Sequence, residues 1–199
     1  MEIKTIKTSL LGQNCYILKN KDKGILIDPG LGTKKIEELI KDTKVEYILL
    51  THCHFDHIHS VNKIREGKIV IGSSNCRINA TDPSMVLGNK ESVLKRPQDE
   101  IMEDGEEREF CGIKIKCIYT PGHTNCSCCY LAEDVLFSGD TLFYQSIGRY
   151  DFKTGNFKEI ENSIKNKIYT LPDITKVYAG HGDFTTVGFE KKNNPYITE

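Results

Sequence analysis

The sequence predicts a single α+β domain, and three observations point that way. Its 199 residues are enough for one substantial hydrophobic core. Short β-patterned runs recur along the whole length and are separated by stretches with helical spacing. No internal repeat and no linker of biased composition divides the chain, so one domain is expected over residues 1–199.

In order, Ile3 to Lys7 and Asn14 to Lys19 read as strands joined by a turn around Gly12. Gly24 to Asp28 is a third strand, entered through the polar turn that starts at Asn20, and it ends with a carboxylate at its tip. A helix follows, with Thr33 as its cap, Ile36, Leu39 and Ile40 as its buried stripe, and Glu37 facing Lys41. Val45 to Leu50 is a buried strand, and a short helix bearing Ile58, Val61 and Ile64 comes after it. Lys68 to Gly72 is again a strand. Residues 73–107 lack a clean period, and a helix over Ser84 to Lys95 is the best fit there. Ile113, Ile115 and Cys117 alternate with Lys114 and Lys116, as in a half-buried strand. Strands over Ser127 to Ala132 and Asp134 to Ser138 come next. Asn156 caps a helix with Ile160, Ile164 and Ile168 on one face, and Lys176 to Ala179 is the last strand.

Composition narrows the function. A formal net charge of −1 offers no basic footprint for nucleic acid. The first residues lack the apolar run of a signal peptide, and no run approaches the ~20 apolar residues that cross a bilayer. The expectation is a cytoplasmic protein that binds neither nucleic acid nor membrane. The eight cysteines are therefore expected as thiols, with Cys126, Cys128 and Cys129 serving mostly as small buried side chains.

Thr51-His52-Cys53-His54-Phe55-Asp56-His57 sets three imidazoles and a carboxylate within six residues, directly after an apolar strand. Alternation in an extended chain points His52 and His54 the same way, so they can hold one ion. Asp56 and His57, where the chain turns into a helix, can hold a second. Three further strands end in the same grammar of apolar run, small residue and ligand: Gly122-His123, Gly139-Asp140 and Gly180-His181. If these strands are neighbours, their tips converge and five of the six histidines meet at one sheet edge. His59 is left outside as a helix-surface residue, and Cys53 as structural.

Thr-His-x-His-x-Asp-His followed by Gly-His, Gly-Asp and Gly-His resembles the metallo-β-lactamase superfamily. Within it, the chain is similar to single-domain relatives of glyoxalase II, the hydroxyacylglutathione hydrolases. Gly139-Asp140-Thr141-Leu142-Phe143, Ser146-Ile147-Gly148-Arg149, Thr186-Val187-Gly188-Phe189-Glu190 and Asn194-Pro195-Tyr196 sharpen that likeness. The resemblance implies an αβ/βα four-layer sandwich. It implies one metal on His52, His54 and His123, a second on Asp56, His57 and His181, and Asp140 bridging them. Asp28 would support a ligand from behind, and Arg149 would meet the carboxylate of a thiol substrate.

Chemistry follows from that ligand set. Two divalent ions, zinc by default with iron or manganese as alternatives, lower the pKa of bridging water from ~15.7 toward neutrality. The hydroxide attacks a polarised carbonyl, with Asp56 orienting it, and thiolate is a suitable leaving group. A small acyl-thiol of the S-lactoylglutathione type is thus the expected substrate, and oligomeric state stays open. The alternative is a persulfide dioxygenase using one iron on the same scaffold. A metal-binding module without activity is the non-enzymatic reading. Full-length glyoxalase II adds a C-terminal helical domain for glutathione, whereas this sequence stops soon after His181. Ser60, Cys126 and Asp183 also depart from the usual pattern around the cleft, which leaves the substrate open. Asp rather than Cys at position 140 argues against a zinc β-lactamase.

Overall fold

Strands that are apolar at nearly every position must be covered on both faces, and their alternation shows what covers them. The computed structural model describes residues 1–8, 11–87 and 89–198. In β2 (Asn14–Asn20), Cys15 and Ile17 point to one side while Tyr16 and Leu18 point to the other. In β3 (Lys23–Ile27), Leu26 opposes Ile25 and Ile27 in the same way. With β1 (Glu2–Lys7) these strands pair antiparallel. After α1 (Thr33–Ile40), β4 (Lys44–Leu49) joins β3 in parallel. Glu46 is an extra residue in that ladder, since Gly24 pairs with Val45 but Ile25 with Tyr47. The bulge turns Tyr47 toward Phe110, 4.8 Å between ring centres.

Helices α2 (Phe55–Ile58) and α3 (Val61–Ile64) follow, then β5 (Ile69–Gly72), α4 (Ser74–Asn79) and β6 (Glu100–Ile101), which completes a sheet in the order β1 to β6. The second sheet takes β7 (Glu107–Phe110), β8 (Ile113–Tyr119), β9 (Cys128–Ala132) and β10 (Val135–Gly139). After the small hairpin of β11 (Leu142–Phe143) and β12 (Ser146–Ile147) come α5 (Phe157–Ser163), β13 (Lys176–Ala179), β14 (Thr185–Thr186) and α6 (Val187–Asn193). The order in that sheet is β14-β13-β10-β9-β8-β7.

Three apolar layers hold four layers of structure together. Between the sheets, Tyr16, Leu18, Ile25 and Leu49 meet Ile115, Cys117, Tyr130 and Phe137. Ile36, Ile58, Val61 and Ile64 cover the outer face of the first sheet. Ile160, Ile164, Ile168 and Val187 cover the second. This is the expected αβ/βα sandwich. Among the described residues, no helix is long and apolar enough to cross a membrane.

Several local expectations are corrected. Gly32, at φ 90, stands at the N-cap of α1, while the Thr33 hydroxyl bonds Ser60 Oγ at 2.8 Å. Lys41 pairs with Glu38 one turn back instead of Glu37. The helix expected through Ile58, Val61 and Ile64 is two single turns. The described residues of 84–95 form turns, not a helix, and position 88 lies outside them. Asp82 Oδ1 accepts from Ser84 N and Asn89 Oδ1 from Glu91 N, local bonds that compete with helix formation. The helix of that region is α4, where Ser73 Oγ accepts from Cys76 N. Asn156 caps α5 as expected, its Oδ1 accepting from Lys158 N and Glu159 N. That helix then widens into a π-turn over Ile164–Ile168 that keeps all three isoleucines inward.

Candidate metal centre

The four strand tips do converge, although of those strands β10 and β13 alone are neighbours. β4 lies in one sheet and β8, β10 and β13 in the other, where β9 separates β8 from β10. The tips meet at one edge of the sandwich because the sheets face each other there. At Gly139, φ is +49, a left-handed turn that glycine makes without strain. Gly180 answers a different need, which is space: a Cβ there would stand 2.1 Å from Asp140 Oδ1 and 2.7 Å from His57 Cε1.

All seven expected ligands are brought together. His52, His54 and His123 offer nitrogens within 4.8 Å of one another, as do Asp56, His57 and His181 with their N and O atoms. Asp140 stands between the two sets. Its Oδ1 is 3.2 Å from His57 Nε2, and its Oδ2 is 3.5 Å from His123 Nε2 and 3.6 Å from His181 Nε2. Two nitrogens on a tetrahedral zinc lie roughly 3.3 Å apart. His57 Nε2 and His181 Nε2 are 3.4 Å apart, and His54 Nδ1 and His123 Nε2 a closer 2.8 Å.

Hydrogen bonds behind the imidazoles settle which nitrogen faces inward. His57 Nδ1 donates to Asp28 Oδ2 at 2.8 Å, His123 Nδ1 to Arg149 O at 2.7 Å, and His181 Nδ1 to Leu11 O at 3.1 Å. The Thr51 hydroxyl donates to Asp28 Oδ2 and so accepts from His52 Nδ1 at 3.1 Å. In each of these four rings Nε2 is the nitrogen left facing the cluster. Among the described residues His52 Nε2 is buried with no hydrogen-bond partner, and buried Asp140 Oδ1 has the His57 imidazole beside it at 3.2 Å. An orphaned buried acceptor such as His52 Nε2 is costly unless something meets its lone pair, and a cation does so. The residues fit a metal.

Electrostatics agree with that reading. Burial pushes His52 well below the ordinary imidazole range, and burial beside His123 lowers His54 to about 4. Burial alone would raise Asp140, but His57 and His123 hold its carboxyl well below the usual range. For His57, burial acts downward and is outweighed by Asp140 and Asp28, so its pKa lies well above that of a free imidazole. His181 is raised too, with Asp56 and Asp140 overcoming burial, and Asp56 is lowered chiefly by His181 despite its own burial.

Asp28 adds a third accepted bond, from Thr51 N at 2.8 Å, and sits behind His57 as expected. Arg149 borders the main cavity, but Asp151 holds its guanidinium, at 2.9 and 2.8 Å. His59 is outside the cluster, bonded through Nδ1 to Ser92 Oγ at 2.9 Å. Cys53 is buried with its Sγ 3.6 Å from Cys126 Sγ, away from the ligands. Sequence reasoning missed Thr51, whose place inside the motif was a usable signal. It also missed the carbonyls of Leu11 and Arg149, which no residue type announces. Phe152 escaped as well, although its ring lies 4.9 Å from that of His54.

Comparison with known proteins leads to the same place. The family model described as metallo-β-lactamase superfamily matches residues 8–181. A hydroxyacylglutathione hydrolase, GloC of Haemophilus influenzae, is 30% identical over 99% of this chain and 98% of its own length. The crystal structure of BLEG-1 B3 metallo-β-lactamase superposes with a TM-score of 0.93 at 34% identity, covering all of both chains. TTHA1623 in a di-iron-bound form gives a TM-score of 0.85 at 29% identity, over 98% of this chain and all of the other. With its sandwich fold, converging strand tips and divalent-metal site, this chain belongs to the metallo-β-lactamase superfamily.

Proposed function

We propose that this metal-dependent hydrolase cleaves acyl-thioesters, using two ions. His52, His54 and His123 would hold one ion, and Asp56, His57 and His181 the other, with Asp140 between them. The observation that carries the proposal is the single cluster of seven groups, with Asp140 presenting one oxygen to His57 and the other to His123 and His181. Bound there, divalent ions supply hydroxide at neutral pH and polarise a carbonyl oxygen. Zinc is our first choice for this N/O set. The di-iron form of TTHA1623 supports both the pairing of ions and iron as the alternative.

The chain's own residues do the rest. Asp28 Oδ2 keeps the proton of His57 on Nδ1, and the carbonyls of Arg149 and Leu11 do the same for His123 and His181. Asp56 borders the cavity as an ionised carboxylate and can accept a hydrogen bond from the attacking water, orienting it. Phe152, whose ring lies 4.9 Å from that of His54, sets an apolar face beside that ligand in the cavity wall. The likeness to GloC supports a thioester as substrate. The eight cysteines stand as free thiols, which suits a reducing, cytoplasmic setting.

Elemental analysis of the purified protein, paired with a panel of thioesters, tests this. Two ions per chain and turnover of at least one acyl-thiol are expected, both lost in His52→Ala. No turnover of any thioester overturns the reading. One iron per chain with oxygen uptake would favour a persulfide dioxygenase. Likeness to BLEG-1 weakens the inference that Asp140 drew against β-lactam hydrolysis, so a penicillin and a cephalosporin belong in the panel.

A further inference from the structure

A cavity of about 610 Å³ opens onto the histidine cluster. With the cluster set aside, Leu11, Phe55, Leu87, Phe143, Ile147 and Phe152 make most of its wall. Leu11 and Leu87 are 53% and 41% exposed, large apolar side chains turned to solvent at the mouth. Leu87 also holds φ +51, a left-handed conformation that leucine keeps only where its surroundings impose it. Phe152 brings apolar surface to the edge of the ligand set, 4.9 Å from His54 and 5.5 Å from His123 between ring centres.

Arg149 and Asp183, charged side chains at the mouth, are each paired at the surface with an opposite charge. Arg149 donates from Nε and Nη2 to the two oxygens of Asp151, and its guanidinium lies 4.5 Å over the Phe152 ring. Asp183, in the groove that continues past His181, is paired with Lys7 at 3.1 Å. Glutathione carries two carboxylates and an ammonium. Seating it here would exchange one carboxylate for another on Arg149, a trade with little net gain. It would also set charge against an apolar wall at a desolvation cost.

Building on the thioester reading, we infer that the substrate is the thioester of an uncharged thiol carrying an apolar acyl group, not an ester of a charged tripeptide thiol. The apolar wall selects for the acyl chain, with Leu87 as a specificity residue. The reaction itself is ordinary hydrolysis: water adds to the carbonyl carbon, the C–S bond breaks, and acid and thiol leave with the two protons of water.

The test compares kcat/KM of the metal-loaded protein on matched esters. Acetyl, butyryl and hexanoyl groups are each presented on N-acetylcysteamine and on glutathione. The cysteamine esters should be favoured at least tenfold, and kcat/KM should rise about fourfold per added methylene while the chain stays within the cavity. Leu87→Asn, which tolerates the left-handed backbone, should flatten that chain-length dependence. A tenfold preference for glutathione esters that Arg149→Gln abolishes overturns this inference and leaves the thioesterase reading intact. Equal rates on both thiols with no chain-length dependence also overturn it, and no turnover of any ester overturns both.

Discussion

At the scale of single residues, the site is a set of imidazoles whose orientation is imposed from behind. Asp28 is the clearest case, since one carboxylate accepts from Thr51 N, Thr51 Oγ1 and His57 Nδ1. Asp28→Asn keeps the size and tolerates the φ of +48, but it offers one acceptor oxygen where the carboxylate offered two. Metal affinity should fall about 10- to 100-fold with the fold intact, read by chelator competition alongside circular dichroism. Metal binding should also depend on pH in a defined direction. His57 and His181 have raised pKa values without metal, so an ion must displace their protons, whereas His52 and His54 are lowered and already neutral at pH 7. Affinity should therefore rise from pH 6 to pH 8 with proton release. Calorimetry in two buffers of different ionisation enthalpy measures this, and a pH-independent affinity would contradict the assignment of those protons.

Elements matter through what they press against. Ile160 of α5 is fully buried and lies directly under the turn that presents His123, where a Cβ on Gly122 would come within 2.2 Å of Ile160 N. Ile160→Ala should cost about 2–4 kcal/mol in urea unfolding while two ions per chain are retained. A loss under 1 kcal/mol would mean the helix docks more loosely than its packing indicates. The inward face of this helix was legible because Ile160, Ile164 and Ile168 recur at helical spacing, and period is a local property. The segment after Ser73 was not legible, because Val86 and Leu94 are buried singly from turns and no period links them. The bulge at Glu46 was equally invisible, since it exists only relative to β3.

Across the whole molecule, the cluster joins two sheets that also meet through apolar packing and through hydrogen bonds such as Tyr130 Oη to Leu50 O and Tyr16 Oη to Ala179 O. His52 follows β4 of the first sheet, and His123, Asp140 and His181 follow strands of the second. Bound ions should therefore tie the two halves together. At ~1,000 times its Kd, a ligand that binds only the folded state adds ~4 kcal/mol. Stripping the metal with a chelator should lower Tm by about 8–16 °C for a chain of this size. A change within 1 °C on thermal unfolding would show that no tightly bound ion had been holding the folded state.

From its sequence alone this protein declares its ligand chemistry: imidazoles and carboxylates follow apolar runs that must be buried strands, and both signals are carried by neighbours along the chain. Only the tertiary structure decides which ring nitrogen faces the ion, because the partner that takes the other proton can be as distant as Leu11 is from His181. It also decides which strand tips meet across the two sheets, and it makes the apolar wall that stands over them. Those outcomes depend on how the layers pack against each other, and packing leaves no periodic trace in any one segment.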